Sequence, residues 1–219
     1  MIRQFFVKDN PAASCSWLLE LNFRQTSRMR FIFFILLGSL SISAGAQTTV
    51  QVNWTNESDM SPSTTVYYHP SRALEWPDFQ GVPEASGNTA ALTTSGFGYK
   101  MNMSHTGTKG QLKIQVYCYF DKTKSWVKPD KKSDYVLTHE QKHFDISYLA
   151  AEKFIRDLRK AQLTRENAGQ KIQQAYEASS KWMNDMQHEY DRQTRNGISR
   201  HDQEIWVDKI NGLISAIRD

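Results

Sequence analysis

The sequence predicts an α+β domain, in which an antiparallel β-sheet in the first half is followed by a helical half that carries a histidine motif. Three observations lead there. Residues 111–120 alternate apolar and polar side chains, which puts Leu112, Ile114, Val116 and Cys118 on one face. Thr, Ser, Gly, Tyr and Val are prominent up to about residue 127, with turn clusters at 83–88 and 105–110. Beyond the stretch 128–132, proline disappears and Ala, Gln, Glu, Lys, Arg and Leu take over, a composition that favours helix.

From the N-terminus, Met29 and Arg30 precede an apolar run over 31–37 and small residues ending in Ala44, Gly45 and Ala46. A basic start, a short apolar core and an A-x-A site describe a secretory signal peptide over 29–46. The run is too short for a membrane span of about 20 residues, and no other stretch comes close, so no span is expected after cleavage. Translation is expected to begin at Met29, which makes residues 1–28 an over-extended N-terminus and 47–219 a single exported domain, periplasmic or extracellular.

The whole chain of 219 residues carries 27 basic and 23 acidic side chains, and setting aside residues 1–46 leaves 22 against 21. A near-neutral domain without a Lys/Arg run lacks the electrostatic footprint of nucleic-acid binding. Cys118 is the one cysteine left beyond residue 46. An exported chain without an internal disulfide must rely on a hydrophobic core or a bound metal. Cys118 itself, on the apolar face of its run, is expected to be a buried, inert thiol.

Strands are expected over 64–69, 90–94, 97–103 and 111–120. Trp76, Asp78, Phe79 and Trp126 read as packing and turn residues. The sequons at Asn53, Asn56 and Asn102 are what a Ser/Thr/Asn-rich stretch produces by chance. A first helix starts near Ser133 or Asp134 and runs to about Lys160. A second opens after Thr164 as N-cap and runs to about Arg195, with Gly197 as its stop, and Ser199, with Asp202 three residues on, caps a last helix to Arg218.

Within the first helix stands His139-Glu140-Gln141-Lys142-His143, an H-E-x-x-H arrangement. A spacing of four stacks the two imidazoles on one helix face, where both reach a single Zn²⁺ at about 2.0–2.1 Å, and Glu140 sits about 100° around, beside the open coordination position. Those residue types suit metal-assisted hydrolysis, with Glu140 as general base.

A catalytic zinc needs a third protein ligand. No further His follows the motif in 144–153, and Asp145 and Glu152 lie about 120° and 140° from His139 on a regular helix, off the metal face, as solvated or supporting groups. The ligand is therefore expected from the second helix or beyond, where His188, Glu189, Asp191 and His201 are available. Ile172, Tyr176, Ser179, Met183, Met186 and Tyr190 form one inward stripe. Relative to Tyr190, His188 points outward at about 160°, Asp191 sits on the stripe edge at about 100° on the side of Thr194, and Glu189 sits on the opposite edge. Asp191 ranks first, then Glu189 or His201, with Thr194 as a partner for the Asp191 carboxylate. Tyr190 is an oxyanion-stabilising candidate or a core tyrosine.

The chain resembles a bacterial family described as predicted secreted zinc-dependent proteases, catalogued as a domain of unknown function. The matching pieces are residues 74–79, Ala90, Ala91 and Thr93, residues 125–127, residues 137–146 around the motif, and Tyr190, Asp191 and Thr194 ahead of Gly197. The resemblance implies a zincin-like metallopeptidase holding one Zn²⁺, with His139, His143 and Glu140 carried over directly, and it singles out the segment that contains Asp191. Relatives often read Thr-x-His-Gly where this chain has Thr194, Arg195, Asn196 and Gly197. The expected activity is hydrolysis of a peptide or protein substrate lying along an edge strand. Its rivals are a non-enzymatic envelope-binding module and an amidase of cell-wall peptides.

Overall fold

The computed structural model describes residues 48–106 and 109–218, so the expected signal peptide and upstream segment lie outside the described residues. The element order is β1 (Thr48–Trp54), β2 (Thr65–Tyr67), β3 (Ala91–Leu92), β4 (Ser95–Thr106), β5 (Lys109–Asp121), β6 (Trp126–Val127), α1 (Asp134–Lys160), α2 (Ala168–Thr194) and α3 (Arg200–Arg218). Sheet first and helices second is the expected α+β order. Among the described residues no helix is long and apolar enough to cross a membrane.

β5 is the centre of the main sheet. β4 pairs with it antiparallel from Ser95↔Phe120 to Thr106↔Lys109 and so fills one edge. β2 is antiparallel to β5 at Thr65↔Asp121, and β1 runs parallel to it from Thr48↔Gly110 to Trp54↔Val116 on the remaining edge. β2 and β4 thus pair antiparallel with β5 as expected, and β1 adds one parallel pair that makes the sheet mixed. β1 was also missed as a strand, although Val50, Val52 and Trp54 alternate with polar residues. Its direction is set by pairing with a strand more than fifty residues away, which a local period cannot report. The expected strand over 90–94 is largely a connector, because only Ala91 and Leu92 pair, and they pair with β6 in a separate two-stranded sheet.

The period of two in β5 is realised in full: Leu112, Ile114, Val116, Cys118 and Phe120 are completely buried against the helices. Burial pushes the Cys118 thiol up, as an inert core residue requires. On the outer face Tyr117 and Tyr119 lie across Gly98 and Gly96 of β4, and a Cβ at Gly98 would meet the Tyr117 hydroxyl at 2.6 Å. Trp76–Asp78 form a 3₁₀ turn in which Asp78 accepts from Glu75 N at 3.1 Å and Arg72 at 2.9 Å, the expected turn role.

α1 begins where expected, at Asp134, with Ser133 as its cap, whose side chain accepts from Val136 N. It is buried nearly all round from His139 to Ala151, as a helix between a sheet and two other helices must be. One face meets the sheet: Tyr148 stacks on Tyr68 at 4.1 Å, Phe144 packs on Tyr68 and Phe120, and Phe154 reaches Phe97 and Tyr99. The histidines point away from Phe144, about 100–140° around the helix, and meet Asp191 of α2. Polar ties fix its register: Gln141 Oε1 accepts from Leu74 N at 2.7 Å, Ser147 and Ser95 hydroxyls meet at 2.8 Å, and Thr93 donates to the Glu140 carbonyl.

α2 starts three residues later than expected, with Asn167 rather than Thr164 at its cap. Thr164 and Asn167 instead bond reciprocally, each side chain accepting the other's backbone N–H, and close a preceding turn. The helix ends as foreseen. Arg195, Asn196 and Gly197 all have positive φ (53°, 54° and 77°), reversing the chain within three residues. α3 then opens at Ser199, whose hydroxyl bonds Asp202 at 2.5 Å.

Candidate metal centre

α1 and α2 bring three side chains to one point. Asp191 Oδ1 lies 3.0 Å from His143 Nε2 and 3.3 Å from His139 Nε2, and the two Nε2 atoms are 3.2 Å apart. Two imidazoles one turn apart on α1 produce the pair, and the α2 stripe edge delivers the carboxylate. The three residues form a group able to hold a metal ion. Ligands at about 2.0–2.1 Å in a tetrahedral arrangement are separated by about 3.3 Å, close to all three observed edges.

The far side of each ring explains why these atoms are lone pairs. His143 Nδ1 faces Gln187 Oε1 at 2.5 Å, and His139 Nδ1 faces Gln203 Oε1 at 3.1 Å. Both amides are oriented by their own N–H groups, since Gln187 Nε2 donates to the His143 carbonyl at 2.9 Å and Gln203 Nε2 to the Tyr135 carbonyl at 3.2 Å. An amide oxygen only accepts, so in the neutral ring Nδ1 carries the proton and Nε2 presents a lone pair. Three acceptor atoms then converge in a buried site, an arrangement that calls for a cation or a proton between them. Without metal, a proton serves: burial pushes His143 down, but the neighbouring Asp191 charge and hydrogen bond outweigh it and raise the imidazole to about 9. Asp191 is pulled up by burial and, more strongly, down by the two histidines, to well below the usual carboxylate range.

Glu140 is fully buried, and neither carboxylate oxygen has a hydrogen-bond partner among the described residues. Its charge acts on both His143 and Tyr190. Tyr190 is also fully buried. Its ring stacks on His139 at 4.6 Å and meets His143 edge-on at 5.1 Å, and its hydroxyl has no partner among the described residues. Burial first, then the carboxylates of Glu140 and Asp191, push the phenol far up, so it keeps its proton and remains a donor.

The other named residues lie elsewhere. Glu189 is held by Arg192 and Gln193, and His201 is exposed in the first turn of α3. His188 is exposed, as its angle on the helix predicts. Asp145 is off the metal face but is not solvated: it is buried and accepts from Lys142 at 2.6 Å, Gln141 at 2.8 Å and Tyr68 at 3.2 Å. Glu152 is half-buried towards the C-terminal end of α1, its carboxyl raised by burial. The Thr194 hydroxyl does not support the Asp191 carboxylate. It donates to the Tyr190 carbonyl at 2.8 Å and accepts from Gly197 N at 3.2 Å, closing the helix end.

Sequence reasoning missed Gln187 and Gln203. Each was visible as a polar residue on an apolar stripe, Gln187 one turn before Tyr190, and Gln203 heading Trp206, Ile210 and Ile214. It also assigned Gly197 only a stop role. A Cβ there would lie 3.3 Å from His139 Nδ1, and the Gly197 carbonyl accepts from the Tyr135 hydroxyl at 2.7 Å, so the helix-ending loop packs on His139.

A cleft of about 540 Å³ reaches the site at His139. Thr89, Ala90, Tyr135, Val136 and Ile198 line it, and Glu84 is among the residues at its exposed side.

A model of the bacterial proteins of unknown function (DUF922) matches residues 83–198. The chain belongs to this family. The matched span contains His139, Glu140, His143, Gln187, Tyr190 and Asp191, and it ends before α3, which contributes Gln203. No curated protein and no solved structure matches the chain.

Proposed function

We propose that this protein is an exported zinc-dependent metallopeptidase in which His139, His143 and Asp191 hold one Zn²⁺ and Glu140 is the general base. The observation that carries the reading is the convergence of two Nε2 lone pairs and a carboxylate oxygen within 3.3 Å, with both Nδ1 protons engaged behind them. The residues fit the ion in number, chemistry and spacing. When bound, zinc would supply Lewis acidity, lowering the pKa of a water and drawing electron density from a scissile carbonyl.

The chain's own residues do the rest. Glu140, buried and unpaired, accepts the proton of the attacking water at its carboxylate and returns it to the departing amine. Tyr190, held neutral, donates its hydroxyl hydrogen bond to the oxygen that becomes negative as the carbonyl is attacked. The cleft at His139 receives the peptide, with the segment 87–90 ahead of β3 as one wall. A purely structural metal would leave Glu140 buried beside the ligands with no role, which weighs against a non-enzymatic binding module.

The test is metal content of the purified protein at neutral pH together with digestion of a mixed peptide library and of cell-wall peptides. About one zinc per chain and cleavage that disappears in Glu140→Gln are expected. A folded protein that takes up no zinc removes the proposal, and cutting confined to wall peptides replaces it with the amidase reading.

A further inference from the structure

We propose that Gln187 and Gln203 are positioning residues that lock both histidines in the Nδ1–H form, and that through Gln203 helix α3 is a working part of the metal centre. This inference rests on the metal site proposed above. A histidine on a helix can present either nitrogen, and a neutral ring with its proton on Nε2 would aim that proton at Asp191 and occupy the position a metal needs. The two glutamines decide between these forms. Each is almost completely buried, and each is pinned at its amide nitrogen by a backbone carbonyl of α1, so its oxygen has one direction to face.

That these groups are amides and not carboxylates follows from the charge already present. Asp191 and Glu140 bring two buried or partly buried negative charges to one dication. A third carboxylate would leave the buried site with net negative charge and no partner, which is costly in a low-dielectric interior. A glutamine oxygen accepts the same Nδ1 proton at no such cost.

The anchors come from different elements. Gln187 stands on α2, the helix that carries Asp191, so its placement follows from that helix. Gln203 stands on α3, which has no ligand of its own yet also lays Trp206 against the Tyr190 ring at 5.5 Å, bonds Gln193 through Trp206 Nε1 at 2.7 Å, and meets Lys142 of the motif through Asn211 at 2.7 Å. Metal held in the right geometry by His139 therefore requires α3 to be docked. By linkage, the factor by which docked α3 tightens zinc is the factor by which zinc tightens the docking.

The experiment uses the full chain, parent and Gln187→Ala, Gln203→Ala and Gln203→Glu, with zinc affinity read by chelator competition. The two alanine variants should release zinc about 10- to 100-fold more readily, the scale of a lost partner behind a ligand. Gln203→Glu, which keeps an acceptor for Nδ1, should recover much of the lost zinc affinity for His139, while the added carboxylate lowers the stability of the fold relative to the parent. Two further readings separate a positioning role from mere packing. Imidazole ¹⁵N spectra of the zinc-loaded parent should show Nε2 bound to metal and Nδ1 protonated on both rings, and zinc should slow amide hydrogen exchange along α3. A metal on either Nδ1, α3 exchange indifferent to zinc, or alanine variants as tight as the parent would overturn the proposal while leaving a zinc peptidase intact. A parent that takes no zinc would overturn both.

Discussion

Replacing Glu140 by glutamine should make the protein more stable and inactive at once. The carboxylate is fully buried and neither oxygen has a hydrogen-bond partner among the described residues. An unpaired interior charge costs several kcal/mol even after relaxation, whereas a neutral amide short of partners costs about 1–3 kcal/mol. Part of the carboxylate's cost is offset in the metal-free protein, because the charge of Glu140 also acts on His143. The net gain for Glu140→Gln is then on the order of 1 kcal/mol, which for a chain of this size raises the thermal midpoint by about 2–4 °C. The assay is thermal unfolding of parent and variant at pH 7 in excess chelator, repeated with zinc. With zinc the advantage should shrink or reverse, since a dication nearby favours the carboxylate. A variant as stable as the parent, or less stable, without metal would mean that Glu140 is already satisfied, and the argument that it stands waiting for a proton would fail.

Asp191→Ala should weaken zinc binding by at least about 10- to 100-fold, more than a supporting residue would, while Glu189→Ala and His201→Ala leave it unchanged in the same chelator titration. Metal held as tightly by Asp191→Ala would refute the third ligand. Zinc uptake at pH 7.5 should release about one proton, measurable by calorimetry in buffers of different ionisation enthalpy, because His143 is raised to about 9 in the metal-free protein. That raised value also means His143 stabilises the metal-free fold fully below its unfolded pKa of about 6.5, and the contribution disappears as pH rises through 9. Asp191, depressed, contributes above its unfolded value of about 3.9 and loses that contribution on acidification. Chelated protein should therefore be most favoured by this cluster between about pH 4 and 6.5, a pH dependence of unfolding that His143→Gln should flatten. Gly197→Ala should cost about 1–3 kcal/mol, since φ is +77° and the new Cβ would press on His139 Nδ1 at 3.3 Å, and urea unfolding reads it directly.

Local periodicity accounts for most of what could be read in advance. The alternation at 111–120, the start of α1 near Ser133 and the cap at Ser199 are properties of neighbouring residues, so the chain carries them openly. The Asp191 placement followed from a helix angle of about 100° from Tyr190, which turns a linear spacing into a direction. What failed needed information from far along the chain. β1 pairs in parallel with β5, β3 leaves the main sheet for β6, and Thr194 turns to the helix end and not to Asp191 because three left-handed residues pull the backbone around beneath it. Asp145 was expected among solvated or supporting groups because its helix angle takes it about 120° from His139, and an angle does not report that Lys142, Gln141 and Tyr68 surround it in the interior.

The distribution of unmatched polar groups links the fold to the site. Among the described residues, buried side-chain atoms without a hydrogen bond include both Glu140 oxygens and the Tyr190 hydroxyl, which lie beside the His139, His143 and Asp191 group, and Thr65, Ser179 and Asn184 elsewhere. Other buried polar groups of α1 are provided for: Asp145 has three donors, Ser147 bonds Ser95, and both histidine Nδ1 atoms have a glutamine. A core-forming helix gains nothing from withholding partners at one place when it supplies them a turn away. Buried polar groups left unpaired lower stability, so their concentration around two Nε2 lone pairs is the pattern expected where pairing is reserved for a cation, a water and a reacting carbonyl. On the function proposed above, the same reasoning explains why Gln187 and Gln203 are bonded at both amide ends: they would belong to the frame that holds the histidines, whereas Glu140 and Tyr190 would belong to the part that exchanges protons and hydrogen bonds during the reaction.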